Sequence, residues 1–330
     1  MNTKSCRDLL AEYQKQRSAY SFGELLNFDP KTHAAYFKDS KGRRKKLEIT
    51  IYNPTKPIIR DQKKYLLGRV EPLLSEESKV MFFEESEGIW RIVDEAPVLG
   101  LQDPFHLENV KRYHIIGGVK ISKEKHRSIY STVFYRYRNS ISELINSRGN
   151  LIKPFAEGPK GMKDIRFIEL KNGRIAIFTR PQGGYAGLGK IGYVEADSLN
   201  EIGGMLSKGR IIPNQFTVDE WGGANELHLL KNGKIGVLGH IAHFDGDVRH
   251  YYAMSFVYSP ETKRATHLEI LTTADDFPPV EPKKPELGKI IFSGGLHREA
   301  DGTALLYVGV GDRRAGCIQI KDPFVKHELS

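Results

Sequence analysis

Two cysteines, two tryptophans and no apolar run near the ~20 residues that cross a membrane mark this 330-residue chain by what it lacks. Cys6 and Cys317 lie at opposite ends, which excludes a disulfide framework and a cysteine-rich zinc site and implies two reduced thiols. Residues 1–8 lead into no signal-type apolar stretch, so the chain reads as cytoplasmic, with no membrane partner. Zinc-finger spacing and the aromatic signature of RNA-recognition modules are also missing, which argues against nucleic acid. What is present is enough apolar material, 39% of residues, to build a real core. Fifty Lys and Arg against 41 Asp and Glu give a net +9, which favours anionic partners, whether phosphate, sugar phosphate, nucleotide or nucleic acid, without choosing among them. The one dense basic run, Lys41-Gly42-Arg43-Arg44-Lys45-Lys46, reads equally as a solvated hairpin tip and as a nucleic-acid patch.

Helical periodicity is confined to residues 5–20, where Leu9, Leu10, Tyr13 and Tyr20 mark an apolar face and Ser5 offers an N-cap. This helix is expected to pack outside the main fold. From Phe22 onward the pattern turns to short strands. Residues 65–71 are followed by strands at 79–83 and 89–93, and 103–108 pairs with 113–119. Then 163–170 runs into 174–180, 225–230 into 234–240, and 289–295 into 305–309, making five hairpins. Asn172-Gly173 and Asn232-Gly233 recur 60 positions apart with near-identical flanks, and Asp301-Gly302 is a third such turn. Both central residues of a type I′ turn need positive φ, which these pairs supply. A repeat of this length with no helix predicts an all-β, five-bladed propeller of about four strands per blade. Residues 1–20 are then a helical extension and 21–330 a single catalytic domain. A two-domain β-sandwich is the competing architecture.

The stretch Leu99-Gly100-Leu101-Gln102-Asp103-Pro104-Phe105 places a carboxylate directly before a proline, which is expected to hold Asp103 extended at a strand mouth. If each hairpin supplies the first two strands of a blade, the inner-strand starts face a central funnel. The residues there are Arg69 and Glu71, Asp103, Lys163 and Asp164, Glu226, and Gly294-Gly295. Such a ring suits a sugar or phosphate ligand, whose oxygens need converging donors and acceptors. Neighbouring opposite charges also suit buried bridges, Lys163 with Asp164 or Arg69 with Glu71.

Arg69-Val70-Glu71, Asp103-Pro104, Lys163-Asp164, Thr179-Arg180-Pro181, Gly239-His240 and Leu306-Tyr307-Val308-Gly309-Val310-Gly311-Asp312 stand in an order that resembles the five-bladed mannoside phosphorylases of glycoside hydrolase family 130. More closely, Tyr52-Asn53-Pro54-Thr55, Gly68-Arg69-Val70-Glu71, Gln102-Asp103-Pro104-Phe105 and Ser293-Gly294-Gly295-Leu296 resemble the related mannosyltransferase/phosphorylases of glycosyltransferase family 108, formerly a domain of unknown function. The resemblance covers roughly residues 45 to 320. It implies an inverting enzyme in which phosphate attacks the anomeric carbon of a β-1,2-linked mannooligosaccharide and releases mannose 1-phosphate, or the reverse; GDP-mannose is a further donor in the second family. It places Asp103 as the general acid/base. Lys163, Arg180, His240 and Tyr252 match the phosphate-contacting region, and Asn53, Arg69 and Asp312 match positions near the bound mannose. Glu71 and Asp164 join the substrate side as neighbours of Arg69 and Lys163. The hydrolase family usually carries Glu-Asp-Pro-Arg where this chain has Gln102-Asp103-Pro104-Phe105, which favours the transferase-like branch.

The chemistry also stands on the residues themselves. An inverting hydrolase needs two carboxylates about 6.5–9.5 Å apart, one as acid and one to activate water. A phosphorolytic enzyme needs only the acid, because phosphate is already a nucleophile and must be held by cations. Asp103 with Lys163, Arg180 and His240 fits the second set, with inorganic phosphate as co-substrate and no cofactor. Arg suits the phosphate role through its planar fork. His240 and His243 share a His-x-x-His spacing, but no nearby carboxylate or cysteine completes a metal set. The glycine-rich segment 183–189 has no following helix and reads as a loop over the cavity rather than a nucleotide fingerprint. Tyr251-Tyr252 also reads as a strand edge, Trp90 and Trp221 as core or hinge aromatics, with Trp221 beside Gly222-Gly223 also able to line the funnel, and 130–138 as a surface strand from which Arg136 or Arg138 could reach phosphate. Two other functions compete. One is a β-mannoside hydrolase of the same fold, using Asp164, Glu226 or Asp312 to activate water; the other is a non-catalytic carbohydrate- or protein-binding propeller. Either state, monomer or oligomer, is compatible with the sequence.

Overall fold

The computed structural model describes residues 3–17, 22–29, 37, 48–73, 75–124, 127–138, 144 and 153–328; the basic run at 41–46 and Tyr20 lie outside them. The chain is predominantly β. A helix, α1 (Cys6–Gln16), and a two-residue strand, β1 (Glu24–Leu25), precede five successive antiparallel meanders. The first contains β2 (Ile49–Tyr52), β3 (Ile58–Arg60), β4 (Lys63–Pro72), β5 (Lys79–Ser86) and β6 (Ile89–Ile92). The second contains β7 (Gln102–Val110), β8 (Tyr113–Glu124), β9 (Arg127–Tyr137) and β10 (Ala156–Glu157). The third contains β11 (Arg166–Glu169), β12 (Ile175–Thr179), β13 (Gly192–Ala196) and β14 (Arg210–Ile211). The fourth contains β15 (Trp221–Leu229), β16 (Ile235–Asp245), β17 (Val248–Ser259), β18 (Arg264–Ala265) and β19 (Glu269–Thr272). The last contains β20 (Lys289–Arg298), β21 (Thr303–Val310) and β22 (Arg314–Lys321). Parallel pairing joins β17 to β20 and β22 to β2, while β1 lies antiparallel on β22, so the two ends of the chain share a sheet.

Meanders pack face to face. Phe105, Ile115 and Phe134 of the second meet Phe167, Ile175 and Ile177 of the third, and Leu238, Ala253 and Val257 of the fourth meet Ile291, Leu296 and Leu306 of the fifth. Strands with both faces covered read as apolar runs rather than alternations. In β4, Leu66, Leu67 and Val70 are all fully buried, so a charged residue there stands in the interior.

The Asn-Gly turns differ from expectation. Gly173 and Gly233 take φ of 80° and 83°, but Asn172 and Asn232 are not among the residues with positive φ. Gly173 N–H instead closes a four-residue turn on Leu170 C=O, and Gly233 N–H does so on Leu230 C=O, both at 2.9 Å. This is the longer hairpin in which glycine alone is left-handed. The asparagine contributes its side chain: Asn172 Oδ1 accepts from Arg174 N–H and Asn232 Oδ1 from Lys234 N–H.

Ser5 caps α1 in a reciprocal box with Asp8. The helix is more integrated than its sequence suggests, because Cys6 and Leu9 are buried in the core beside Tyr252, Met254 and Ile270. Tyr13 Oη donates to Asp276 at 2.7 Å, and Cys6 N–H donates to Glu220. Both cysteines are free and buried. Among the described residues no helix is long and apolar enough to cross a membrane.

Phe134 is fully buried, with ring centroids of Phe105 and Phe167 at 5.4 and 5.2 Å. Phe134→Ala removes the ring that joins the second and third meanders and is expected to cost about 3–5 kcal/mol of unfolding free energy. Urea denaturation measures this, and a loss below about 1 kcal/mol would contradict the packing described.

Candidate active site

Four polar residues at the head of the interior share an unusual backbone. Asn53, Asp103, Asp164 and Asp312 have φ of 49°, 47°, 56° and 51°. Asp103 is therefore left-handed, not extended. It sits where the β7–β8 register shifts between Gln102 and Phe105, and this bulge re-aims its side chain despite Pro104. Asn and Asp tolerate this region better than other side chains.

Asp103 is buried and clamped on one oxygen. Asn53 Nδ2 donates to Oδ1 at 2.8 Å and Arg69 Nη1 donates to the same atom at 3.1 Å. Arg69 is itself buried, stacked on the Tyr52 ring at 4.8 Å, and bonded to Glu71 Oε2 at 3.0 Å. Glu71 stands behind Arg69. Its carboxylate also accepts from Tyr52 Oη at 2.5 Å, from Ser78 and from Lys283. Burial works against its charge, but Arg69 and these donors prevail and hold the carboxyl below the usual range.

A second group assembles around Asp164. Arg180 Nη1 lies 3.3 Å from Asp164 Oδ2, and His240 Nε2 lies 3.9 Å from the same oxygen. Of the two expected bridges, Arg69–Glu71 forms, whereas Asp164 pairs with Arg180 instead of Lys163. Arg180 is pinned by carbonyls, with Nε donating to Gly222 O at 2.8 Å and Nη2 to Leu188 O at 3.1 Å. The glycine-rich segment thus forms a wall of the site. A Cβ on Gly189, whose φ is 140°, would lie 2.6 Å from Arg180 Nε, and one on Gly223 would lie 2.8 Å from Asp164 Oδ2. Burial opposes the Asp164 charge but is outweighed by the nearby cations, Arg180 first and then Lys163 and Arg166, so its carboxyl titrates below the usual range. Lys163 sits half-buried over the Tyr130 ring at 5.6 Å, and its charge acts on Asp164, His240 and Asp312.

His240 Nδ1 lies 2.8 Å from Asn225 Oδ1, which fixes the proton on Nδ1. Its ring stacks on Tyr251 with centroids 5.2 Å apart, and Trp221 Nε1 donates to Tyr251 Oη at 3.1 Å. Burial pulls the His240 pKa down to about 3. Tyr252 faces away from this group. His240 pairs across the strands with Ala253 and Ala242 with Tyr251, so these share one face, while Ile241, Tyr252 and Met254 occupy the opposite face in the core. The Tyr252 hydroxyl lies 3.2 Å from His250 Nδ1 and 3.4 Å from His243 Nε2.

Asp312, between β21 and β22, opens onto a cavity of about 700 Å³ that Tyr130, Arg249 and Lys284 also line. Burial, with Asp103 and Glu71, pushes its carboxyl up against the pull of Arg69 and Lys163. Glu226 belongs elsewhere. It binds Lys56 at 2.8 Å, His228 at 3.1 Å and Leu296 N–H at 2.6 Å, beside a separate cavity of about 210 Å³. Arg136 and Arg138 stack on Tyr113 and do not join the site. Asn225 and Tyr251 escaped the sequence reading. The available signal for Asn225 was a polar Asn-Glu pair inside an apolar strand, where the register shifts between Ala224 and Glu226.

His240 and His106 are both buried with pKa values lowered to about 3, burial being the leading cause. Their folded values lie below the unfolded value of 6.5, so their contribution is present above pH ~6.5 and is lost as pH falls toward 3. Thermal unfolding across this window is expected to show falling stability, by up to about 1.4 kcal/mol per pH unit for each ring. His240→Gln should flatten the slope; an unchanged slope would contradict a buried neutral ring.

The family model described as a protein of unknown function, DUF1861, matches residues 45–326. Comparison with curated proteins gives no match. Among solved structures, the mannose phosphorylase MPT-4 of Leishmania mexicana, in complex with phosphate ion, is 30% identical over 97% of this chain and 94% of its own, with a TM-score of 0.80. The GDP-Man-dependent mannosyltransferase MPT-1 of the same organism is 27% identical over 98% and 97%, with a TM-score of 0.82. The β-1,2-mannobiose phosphorylase of Listeria innocua shares the fold at 13% identity, over 94% of this chain and 99% of its own, with a TM-score of 0.62. The chain belongs to the DUF1861 family, that of the mannosyltransferase/phosphorylases of glycosyltransferase family 108, related in structure to glycoside hydrolase family 130.

Proposed function

We propose that this chain transfers a mannosyl residue, with inversion, between short β-1,2-linked mannosides and phosphate, forming or consuming mannose 1-phosphate. GDP-mannose is the second donor, and no cofactor takes part. In this reading the five meanders are the blades of one propeller over residues 21–330, with residues 1–20 as a helical extension.

The observation that carries the proposal is a single clamped carboxylate beside a slot of buried donors. Asn53 and Arg69 both act on Asp103 Oδ1, so Oδ2 is the oxygen that carries the proton to the leaving sugar. Arg180 Nη1 and Asn225 Nδ2 are buried without a hydrogen-bond partner, and Lys163 lies close by. These groups suit tetrahedral oxyanion recognition. Asn53 and Arg69 both orient the acid and border the mannose, and Asp312 offers a carboxyl to its hydroxyls. A hydrolase is less well supported, because two of its three candidate bases, Asp164 and Glu226, are already engaged by cations, which leaves Asp312 alone for that role.

Purified protein incubated with β-1,2-mannobiose is expected to release mannose 1-phosphate only when inorganic phosphate is present. Release of free mannose without phosphate would overturn the proposal in favour of hydrolysis. Asp103→Asn should keep the circular dichroism spectrum and lose about 10²–10⁴-fold in kcat. Unchanged turnover would remove Asp103 from the acid role.

A further inference from the structure

The slot proposed for phosphate contains a carboxylate that would repel a fully ionised anion. Asp164 Oδ2 is buried, and neither it nor Arg180 Nη1, 3.3 Å away, has a hydrogen-bond partner among the described residues. Asn225 Nδ2 is a third such atom. Asn225 Oδ1 takes the Nδ1 proton of His240, so His240 Nε2 presents a lone pair, 3.9 Å from Asp164 Oδ2. The slot therefore combines donors on Arg180, Asn225 and Lys163 with two acceptors, Asp164 Oδ2 and His240 Nε2.

We infer that this slot selects an oxyanion that still carries a proton: the P–OH of hydrogen phosphate donates into the acceptor pair of Asp164 Oδ2 and His240 Nε2, 3.9 Å apart, and Arg180, Asn225 and Lys163 donate to the unprotonated oxygens. The inference rests on the phosphorolytic reading and sharpens it from anion binding to selection for a protonated anion. An ionised carboxylate only accepts, so a tetrahedral dianion without a proton would set lone pair against lone pair at a buried site. Burial keeps His240 neutral, and Arg180 keeps Asp164 ionised, which maintains both acceptors. Gly223 leaves the room that the carboxylate occupies.

The step balances. A phosphate oxygen bonds to C1 as the C1–O bond to the leaving sugar breaks, and Asp103 gives its proton to that oxygen. The P–OH remains on the mannosyl phosphate, still donating into the acceptor pair. After release, ionisation of that group to solvent and proton uptake by Asp103 restore the enzyme.

Isothermal titration of the full-length protein at neutral pH with phosphate, arsenate, sulfate and fluorophosphate tests the inference. Phosphate and arsenate carry a proton; sulfate and fluorophosphate do not. The first pair is expected to bind at least about fivefold more tightly than the second, the least that a buried acceptor left unsatisfied costs. Asp164→Asn keeps a residue that tolerates the left-handed backbone and replaces the acceptor with an N–H donor. It should bring sulfate and phosphate within about threefold of each other. Equal binding of all four anions by the wild type, or an unchanged ratio in the variant, would overturn selection for the protonated anion and leave phosphorolysis standing. Binding of none would overturn both. Should the variant fail to fold, the wild-type ratio of phosphate to fluorophosphate decides alone, because the two differ chiefly in the proton.

Discussion

The head of this molecule depends on the burial of one guanidinium. Arg69 lies inside a strand covered on both faces, where an uncompensated charge would cost several kcal/mol. Its compensation is shared: Glu71 takes one side, Asp103 another, and the Tyr52 ring a third. Glu71 in turn needs Lys283, which is 212 positions away in the chain. Compensating one cation therefore ties the first meander to the segment before the last one. The orientation of Asp103 is set by this network and by Asn53, and not by its own strand alone. Removing Arg69 would leave two carboxylates facing each other in the interior, which costs more than losing a matched pair.

The second constraint is conformational. Left-handed backbone at Asn53, Asp164 and Asp312, at or near the ends of strands, and at Asp103 within β7 re-aims four polar side chains. Such residues carry local strain and persist only where the surroundings over-determine them. Here the surroundings are the Arg69 network on one side and Arg180, pinned by two carbonyls, on the other. The glycines nearby serve the same end, because Gly189 and Gly223 keep space for the side chains of Arg180 and Asp164.

Much of this was legible in the sequence, for a physical reason. Strands buried on both faces are apolar runs, so Arg69, Glu71 and Asp103 interrupt them visibly, and Asp164 and Arg180 stand out at the ends of β11 and β12. The hairpins were legible because Gly173 and Gly233 sit where a left-handed residue is required, although the turn is longer than the type I′ turn those pairs suggest. What stayed hidden depends on register and on neutral groups. Tyr251 and Tyr252 are indistinguishable by composition, and one step along a strand exchanges the site for the core. Asn225 is uncharged and enters the site through a register shift that no turn residue announces. The left-handed Asp103 was obscured by Pro104, whose influence points toward an extended backbone. The inner role of α1 was hidden as well, because its anchors Cys6 and Leu9 are too few to make a clear apolar stripe.

Charge accounting links these parts to chemistry. Glu226 is neutralised by Lys56, and Glu71 by Lys283 together with its share of Arg69, so both act as structural counter-ions. At the head of the interior this leaves Asp103, Asp164 and Asp312 against Arg69, Arg180, Lys163 and the buried Arg166, whose charge acts on Asp164 and Asp103. Cations therefore outnumber carboxylates there by one, and by two once Asp103 carries its proton. For a dianion entering this largely buried set, desolvation offsets a large part of the Coulomb term, so directed hydrogen bonds decide much of the recognition. Directional recognition, with donors and acceptors each matched to one ligand atom, is what such a site can supply. Water, small and neutral, fills few of those positions at once, whereas a tetrahedral anion with three bare oxygens and one hydroxyl fills most of them. This matching is the physical ground on which transfer to phosphate outcompetes transfer to water in the proposed reaction.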